Sequence, residues 1–534
     1  MTSRPEPVPN PEPTADVSPV TPQGNVADLV AAASRRGADH PALVEPGLGR
    51  TLSWAEVDAG ANAEAARLRA AGVQPGDRVL IRLGHGAPYC LALFGALRVG
   101  AIAVPVGPEA SARELDVIAG DCTPGVMVAE PGDEIVDVLA SANSARRLDP
   151  PETEVGAVAG ATPVGGGEDI AVLGYTSGVT GVPRGVRISH RALLANRAQV
   201  AALRPVPVSP ADRVLLQWPM SHAYGLGAGL LQVCWAGATT VLTDRFDVRE
   251  VVEGIRRERV TVLAGVPALY RAMVELPQAG LRESLVTLRL AMAGGAPLAS
   301  ELAAEFSQAC GLQLFEGYGL TETGPVLTST LVGGLAKAGS VGRPLPGALV
   351  GDIEVAGVEL RLVDSHGADI HAAADDEDED DEPDTGLVAV RGPNLFSGYW
   401  PDGAGGPDED GWFRTNDVGY VDADGDLHLV NRASDLVIVN GFNVYPREVE
   451  LVLDELAGVT EAAVVGVPDP NSGQAVKALL VLAPGAELDP DAVREHCLAR
   501  LARFKVPAVV EFVDSLPRSA TGKINRAVLR VAAS

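Results

Sequence analysis

Gly76-Asp-Arg-Val-Leu-Ile-Arg82, Pro88-Tyr-Cys-Leu-Ala-Leu-Phe-Gly-Ala-Leu-Arg-Val99 and Ala101-Ile-Ala-Val-Pro-Val106 follow one another in the first fifth of the chain. The Gly-Asp pair turns the backbone into a short apolar run, Arg78 to Arg82, which reads as a buried strand. The next apolar stretch is too long for a strand and opens on a proline, so it reads as a helix from Pro88 to Val99. Ala101 to Val106 is then a second strand. Working outward, Thr51-Leu52-Ser53 precedes a helical stretch through Ala71, with Ser53 or Thr51 as N-cap. Helices and short Val/Ile/Leu strands go on alternating to about residue 340, which argues an α/β fold with mostly parallel sheets.

From about Ser340 the texture changes to short alternating strands, such as Val358 to Val363 and Leu387 to Arg391, which predicts a β-rich subdomain. Asp422-Ala-Asp-Gly425 reads as a hairpin turn. After Arg432 comes a compact α+β segment: a strand, a helix from Pro446 to Leu456, strands at Ala462 to Val467 and Ala475 to Leu482, and a helix from Pro490 to Leu501. The expected organisation is a proline-rich tail over 1–24, a large domain over 25–433 and a small α+β domain over 434–534. Within the large domain, Asp375 to Asp384 is nine carboxylates and one proline. Such a block cannot bury itself, so 372–385 is expected to be a solvated loop.

The composition narrows the function. A net charge of −28 repels phosphate backbones, which disfavours nucleic-acid binding. The most apolar stretch, Leu91 to Val106, carries Arg98 and Pro105, so no membrane span is expected. The N-terminus lacks a basic-then-apolar leader, and a cytoplasmic location follows as the default. The five cysteines are far apart and read as buried thiols. Of the 42 basic residues only Lys337, Lys477, Lys505 and Lys523 are lysines. Where arginine supplies nearly every positive charge, a lysine marks a place that can use a compact ammonium.

Four segments carry chemistry. In Gly174-Tyr-Thr-Ser-Gly-Val-Thr-Gly-Val-Pro-Arg-Gly185 an apolar strand, Ile170 to Gly174, runs into a loop of hydroxyls and glycines. Backbone N–H groups and the Thr176, Ser177 and Thr180 hydroxyls can face phosphate oxygens there, glycines let the backbone come close, and Arg184 adds charge. The Walker A spacing fails. In Gly317-Tyr-Gly-Leu-Thr-Glu-Thr-Gly324 a tyrosine can stack on a base and Glu322 can bind a hard cation such as Mg²⁺. Gly411-Trp-Phe-Arg-Thr-Asn-Asp417 offers a carboxylate to ribose hydroxyls, and Pro517-Arg-Ser-Ala-Thr-Gly-Lys523 places a rare lysine on a glycine-flanked loop.

In this order and at these intervals the segments resemble the adenylate-forming superfamily of acyl-CoA synthetases, peptide-synthetase adenylation domains and luciferases. The resemblance covers nearly the whole chain from about residue 25. It also includes Pro219-Met-Ser-His222-Ala-Tyr-Gly225, Ala293-Gly-Gly-Ala-Pro297, Arg391-Gly-Pro-Asn-Leu-Phe-Ser-Gly-Tyr399, Asn431-Arg432-Ala-Ser-Asp435, Gly441-Phe-Asn-Val-Tyr-Pro-Arg-Glu-Val-Glu450 and Val476-Lys477-Ala478.

The resemblance implies roles. Thr176, Ser177, Gly178, Thr180, Gly181, Arg184 and Gly185 hold the β- and γ-phosphates of ATP. Gly295, Ala296, Tyr318 and Gly319 frame the adenine. Thr321 and Glu322 meet the α-phosphate and Mg²⁺, with Thr176 a further metal ligand. Asp417 and Arg432 hold the ribose, and Lys523 reaches the carboxylate and the α-phosphate. His222 sits at the mouth of the acyl pocket, although a lone histidine outside that context reads as a packed core residue. The small C-terminal domain swings about Ser434, bringing the Lys523 loop in for adenylation and Gly441, Phe442 and Asn443 in for thioester formation. Three positions depart from the pattern: Val179 replaces a threonine, Arg184 a lysine, and Ser434 an aspartate or lysine.

Peptide-synthetase domains usually place an aspartate near the histidine segment, and Trp218 to Gly229 has none. The expectation is therefore an ATP-dependent ligase that joins a fatty or other apolar carboxylic acid to coenzyme A. A ligase loading the phosphopantetheine of an acyl carrier protein, and a nucleotide-binding pseudoenzyme without turnover, are the two alternatives.

Overall fold

In the computed structural model the described residues are 20–534, apart from 155, 157–159, 161, 178–182, 244–246, 278–279, 365, 371–384, 433–436, 440–441, 445, 470–472, 502, 519–523 and 532–534. The acidic run, most of the proline-rich tail, Ser434, Gly441 and Lys523 therefore lie outside them. The chain divides into two compact units. The first holds Met1–Thr176, Pro183–Glu359 and Arg391–Phe413, and the second contains Leu360–Val390 and Arg414–Ser534.

The first unit is built on two sheets. One has six strands in the order Arg146–Leu148, Val126–Ala129, Arg78–Arg82, Ile102–Pro105, Ile170–Ser177, Pro183–Ser189. Its first five strands pair in parallel. Strand, helix and strand around residue 90 fall where the apolar runs predict, with the helix at Ala87–Arg98 and every residue but Pro88 buried. Burial on both faces is why this stretch carries no polar alternation. The preceding helix, Trp54–Ala70, starts at Ser53, whose hydroxyl accepts from the Glu56 N–H while the Glu56 carboxylate accepts from the Ser53 N–H.

The second sheet has nine strands. Six consecutive ones, Leu314–Tyr318, Leu290–Ala293, Val262–Gly265, Arg213–Leu216, Thr239–Leu242 and Pro41–Glu45, are parallel. Antiparallel strands close both edges. Helices Val248–Arg257, Pro267–Val274 and Ser300–Cys310 cover its Leu215, Leu263, Ala291 and Leu314 side chains, with Tyr270 and Phe306 packed edge to face at 5.0 Å. After Leu216 the chain enters a wide helical turn, Tyr224–Leu231, with π-type winding.

The second unit contains a four-stranded sheet over Glu359–Arg432, with strands Glu359–Val363 and Gly386–Arg391 where the alternating pattern predicts them, and a five-stranded sheet. Phe413–Val421 and Leu427–Arg432 pair antiparallel, and the Asp422 N–H donates to the Asp426 carbonyl across the Gly425 turn at 3.0 Å. The C-terminal sheet packs Val464, Val476, Ala478 and Leu480 under helices Pro446–Asp454 and Pro490–Leu498. Two of the rare lysines are ion-paired here: Lys477 with Glu511 at 2.7 Å and Lys505 with Glu448 at 2.5 Å. All five cysteines are free and buried. Among the described residues no helix is long and apolar enough to cross a membrane.

Candidate active site

Four adjacent parallel strands of the nine-stranded sheet end along one edge, three of them leading into singled-out segments. Arg213–Leu216 leads to His222, Val262–Gly265 to Val266, Leu290–Ala293 to Gly295 and Ala296, and Leu314–Tyr318 to Gly319, Thr321 and Glu322. The register keeps these ends level, with Leu216 opposite Ala264, Gly265 opposite Ala293 and Ala293 opposite Glu316. Neighbouring strands lie about 4.8 Å apart, so the four loops line one edge within a nucleotide's length. The carboxyl end of a parallel sheet is also where open α/β folds bind ligands.

The strand that leads into the hydroxyl-rich loop, Ile170–Ser177, reaches the same edge from the other sheet. A Cβ built on Gly174 would stand 3.1 Å from the Thr321 methyl. Side chains of a strand alternate, so Thr176 leaves Ile170–Ser177 on the side that Gly174 turns toward Thr321. Gly174 and Thr321 are thereby brought together, with Thr176 on the strand face of Gly174 and Glu322 next in chain to Thr321. Residues 178–182, which include Gly178, Thr180 and Gly181, lie outside the described residues, as does the side chain of Ser177. On the far side of that loop Arg184 is exposed, and its guanidinium lies 3.7 Å from the centre of the Tyr399 ring. Gly185 is buried because Leu173, Trp400 and Tyr175 approach to 3.0–3.2 Å of where a Cβ would stand.

Glu322 is fixed from two directions. Its carbonyl accepts from the Phe396 N–H at 2.9 Å, and its Oε1 accepts from the Tyr399 hydroxyl at 2.9 Å. The Thr321–Glu322–Thr323 turn is anchored further by Asn394, whose Nδ2 donates to the Thr323 carbonyl at 2.8 Å. It ends at Gly324 in the left-handed region and a cis Gly324–Pro325 peptide. Behind it, on helix His190–Ala201, Asn196 pairs with the backbone of Val326, and Arg197, fully buried, donates to the Gly324 carbonyl at 3.3 Å. Burial holds the Arg197 guanidinium down to about 9.

The adenine candidates are tied to each other by a residue that no sequence signal marked. Glu316 is buried one strand position before Gly317-Tyr318 and accepts the Leu298 N–H, just past Ala296-Pro297, at 3.3 Å. Burial pushes its carboxyl up to about 8, only partly opposed by that N–H. His222 stands edge-on to Trp218, 5.6 Å between ring centres, and its Nδ1 accepts from the Tyr224 N–H at 3.2 Å. Tyr224 in turn lies against Gly294, where a Cβ would come within 2.9 Å of the ring.

In the second unit Asp417 and Arg432 are directly opposite one another on paired strands. Asp417 is buried, and its N–H donates to the Thr415 hydroxyl at 3.2 Å. Phe442 and Asn443 lie in a strand paired with Val437–Val439. The base of the Lys523 loop is closed by an antiparallel bridge between Arg518 and Ile524 and by the Asn525 N–H donating to the Pro517 carbonyl at 2.7 Å.

The donor set at Glu322 fits a small hard cation. It is a carboxylate, an oxygen donor, with Oε2 left beyond the Tyr399 bond. With the geometry in hand, the chain can be placed among known proteins. Residues 29–400 match the AMP-binding enzyme family, and residues 448–523 match the AMP-binding enzyme C-terminal domain, so the chain belongs to the AMP-binding enzyme family. Within it the chain falls in the acyl-CoA synthetase branch. A feruloyl-CoA synthase of an Amycolatopsis species is 35% identical over 93% of this chain and 96% of its own length. A long-chain-fatty-acid–CoA ligase of Yersinia pestis is 32% identical over 93% and 92%. The crystal structure of ATP-bound MatB from Rhodopseudomonas palustris superimposes with a TM-score of 0.85 at 31% identity, covering 95% of this chain and 99% of that one.

Proposed function

We propose that the protein activates an apolar carboxylic acid with ATP and Mg²⁺ and passes the acyl group to coenzyme A. In the first half-reaction a carboxylate oxygen attacks the α-phosphorus, the bond to the bridging β-oxygen breaks and pyrophosphate leaves. In the second the thiol sulfur attacks the acyl carbon, the bond to the AMP oxygen breaks, and the thiol proton passes to solvent. The observation that supports this reading is the meeting of Gly174 and Thr321, which sets the strand that enters the hydroxyl-and-glycine loop against the Thr321-Glu322 turn of the other sheet.

In this reading the loop N–H groups with Thr176, Ser177 and Thr180 hold the β- and γ-phosphates. Glu322, Thr321 and Thr176 would hold Mg²⁺, which offsets the repulsion between two anions as the carboxylate approaches. Asp417 and Arg432, one cross-strand pair, grip the ribose. Lys523 supplies a point charge at the α-phosphate, and His222 with Trp218 and Tyr224 walls the acid. A swing about Ser434 would let the last hundred residues present first the Lys523 loop and then Gly441 to Asn443.

The test is carboxylate-dependent exchange of labelled pyrophosphate into ATP. The acid panel runs from medium to long fatty acids and includes feruloyl-type aryl acids, since the named relatives divide between these. Thioester formation is then compared with coenzyme A and with a carrier protein as acceptor. Exchange that no acid stimulates removes the enzymatic reading and leaves nucleotide binding alone. Transfer to the carrier with none to coenzyme A replaces the acceptor.

A further inference from the structure

We propose that Tyr399 is a positioning residue for Glu322, holding the metal-binding carboxylate in register with the strand that leaves the phosphate loop. The proposal rests on the assignment of Glu322 to Mg²⁺ made above. Its backbone half is a set of rungs. The segment Ser397–Trp400 lies antiparallel to Pro183–Ser189: Ser397 N–H donates to the Arg187 carbonyl at 2.8 Å, Arg187 N–H to the Gly398 carbonyl at 3.1 Å, and Trp400 N–H to the Gly185 carbonyl at 2.8 Å. Tyr399 therefore moves with Val186, immediately after Gly185.

The side-chain half points the other way. The Tyr399 ring is held between Phe396, edge to face at 5.0 Å, and the flat guanidinium of Arg184 at 3.7 Å. Between those two contacts its hydroxyl reaches Glu322 Oε1 at 2.9 Å. A carboxylate on a short turn has two free side-chain torsions beyond Cβ, and a hydroxyl bonded to one oxygen fixes which way the other faces. Arg184 takes on a meaning here. Lysine at that position would keep the charge but has no planar face to lie on the ring. Arg184, Tyr399 and Glu322 thus form one chain of contacts from the phosphate-loop strand to the carboxylate.

Binding of Mn²⁺ to the enzyme with ATP present and no acid, followed through the electron paramagnetic resonance signal of free Mn²⁺, reads the arrangement without turnover. Tyr399→Phe keeps the ring, its Phe396 contact and the Arg184 stack, and loses only the hydroxyl. It is expected to raise the half-saturating Mn²⁺ on the order of tenfold, the usual effect of removing a group that orients a metal ligand. The KM for the acid should stay within about threefold, as a positioning role requires. Excess metal should restore most of the exchange rate. Arg184→Lys should shift the same half-saturation a few-fold in the same direction. Glu322→Gln separates the two levels of the argument. If it binds Mn²⁺ with ATP like the wild type, the metal assignment itself falls. If Glu322→Gln is weakened but Tyr399→Phe is unchanged or tighter, the positioning role is overturned while the assignment stands. An Arg184→Lys protein with wild-type metal binding overturns the ring-clamp half.

Discussion

Asn196 holds Val326 with both ends of its amide, Nδ2 donating to the Val326 carbonyl at 2.7 Å and Oδ1 accepting from the Val326 N–H at 3.1 Å. The side chain thus does the work of a neighbouring strand for a backbone that has just passed a cis proline. Asn196 is fully buried, so Asn196→Ala leaves the backbone donor and acceptor of Val326 without this partner, and water has poor access. The expected cost is about 2–4 kcal/mol. Calorimetric melting should show the loss, and pyrophosphate exchange should fall with it because the Thr321-Glu322 turn is the neighbouring segment.

Gly319 is required by space. A Cβ there would stand 1.8 Å from the Pro325 carbonyl oxygen, a backbone atom that cannot rotate away. Gly319→Ala is expected to displace the 319–325 turn at about 1–3 kcal/mol and to lower exchange at least tenfold, on the order expected when an active-site turn moves by an ångström. Gly120 is the contrasting position: it is exposed on helix Ala112–Cys122, with nothing within 4 Å of its Cβ direction. Gly120→Ala should stabilise by about 0.5–1 kcal/mol and leave exchange unchanged.

Glu316 gives stability a pH slope of definite sign. Burial raises its carboxyl from 4.5 to about 8, so the folded protein binds this proton more tightly than the unfolded chain does. Stability from the neutral form is full below about 4.5 and is lost as pH rises through about 8. Glu316→Gln keeps an acceptor for the Leu298 N–H and cannot ionise. Melting curves between pH 5 and 9 should find the variant close to wild type at the acid end. At the alkaline end it should be more stable, by on the order of a few kcal/mol at about 1.4 kcal/mol per unit of displacement. A wild-type advantage at pH 9 contradicts the assignment.

Lys523→Ala should lower adenylate formation on the order of 10²–10³-fold while sparing thioester formation from a supplied acyl-adenylate. Single-turnover assays of the two halves read this directly. Equal loss in both would mean that one pose of the C-terminal domain serves both steps.

Removal of residues 375–384 should leave turnover within a few-fold, as expected of a solvated charge block at the surface. Steady-state rates of the deleted protein decide it, and a collapse would give the acidic run a part in the reaction.

The elements that sequence reading placed best are those whose signals are local. Ser53 with Glu56 three residues on marks a helix start, and the apolar runs at Arg78–Arg82 and Ala87–Arg98 are bounded by glycine and proline. The Asp422–Gly425 turn fixes the hairpin, but it is a one-residue shift in the pairing between Val418 and Gly419 that brings Asp417 opposite Arg432. What was not legible depends on distant partners. Tyr399 was visible inside a motif, yet its bond to Glu322 spans 77 residues. Asn196 and Arg197 look like the polar face of an ordinary amphipathic helix, and only the fold reveals that both are buried. Tyr224–Leu231 has no helical period to read, because three of its eight residues are glycines.

Those glycines limit how the protein can diversify. At Gly225 a methyl would meet the Pro219 carbonyl at 2.3 Å, at Gly227 the Pro325 ring at 2.3 Å, and at Gly229 the Leu216 side chain at 2.9 Å. The wall beside His222 is main chain pressed on main chain, ring and the Leu216 side chain, so bulk cannot be added at these glycines without dislodging their neighbours, the turn that ends at Pro325 among them. On the proposed placing of the acid beside His222, Ala223 and Ala228, partly exposed in the same segment, remain as positions where lineages can acquire a new acid preference and keep the fold.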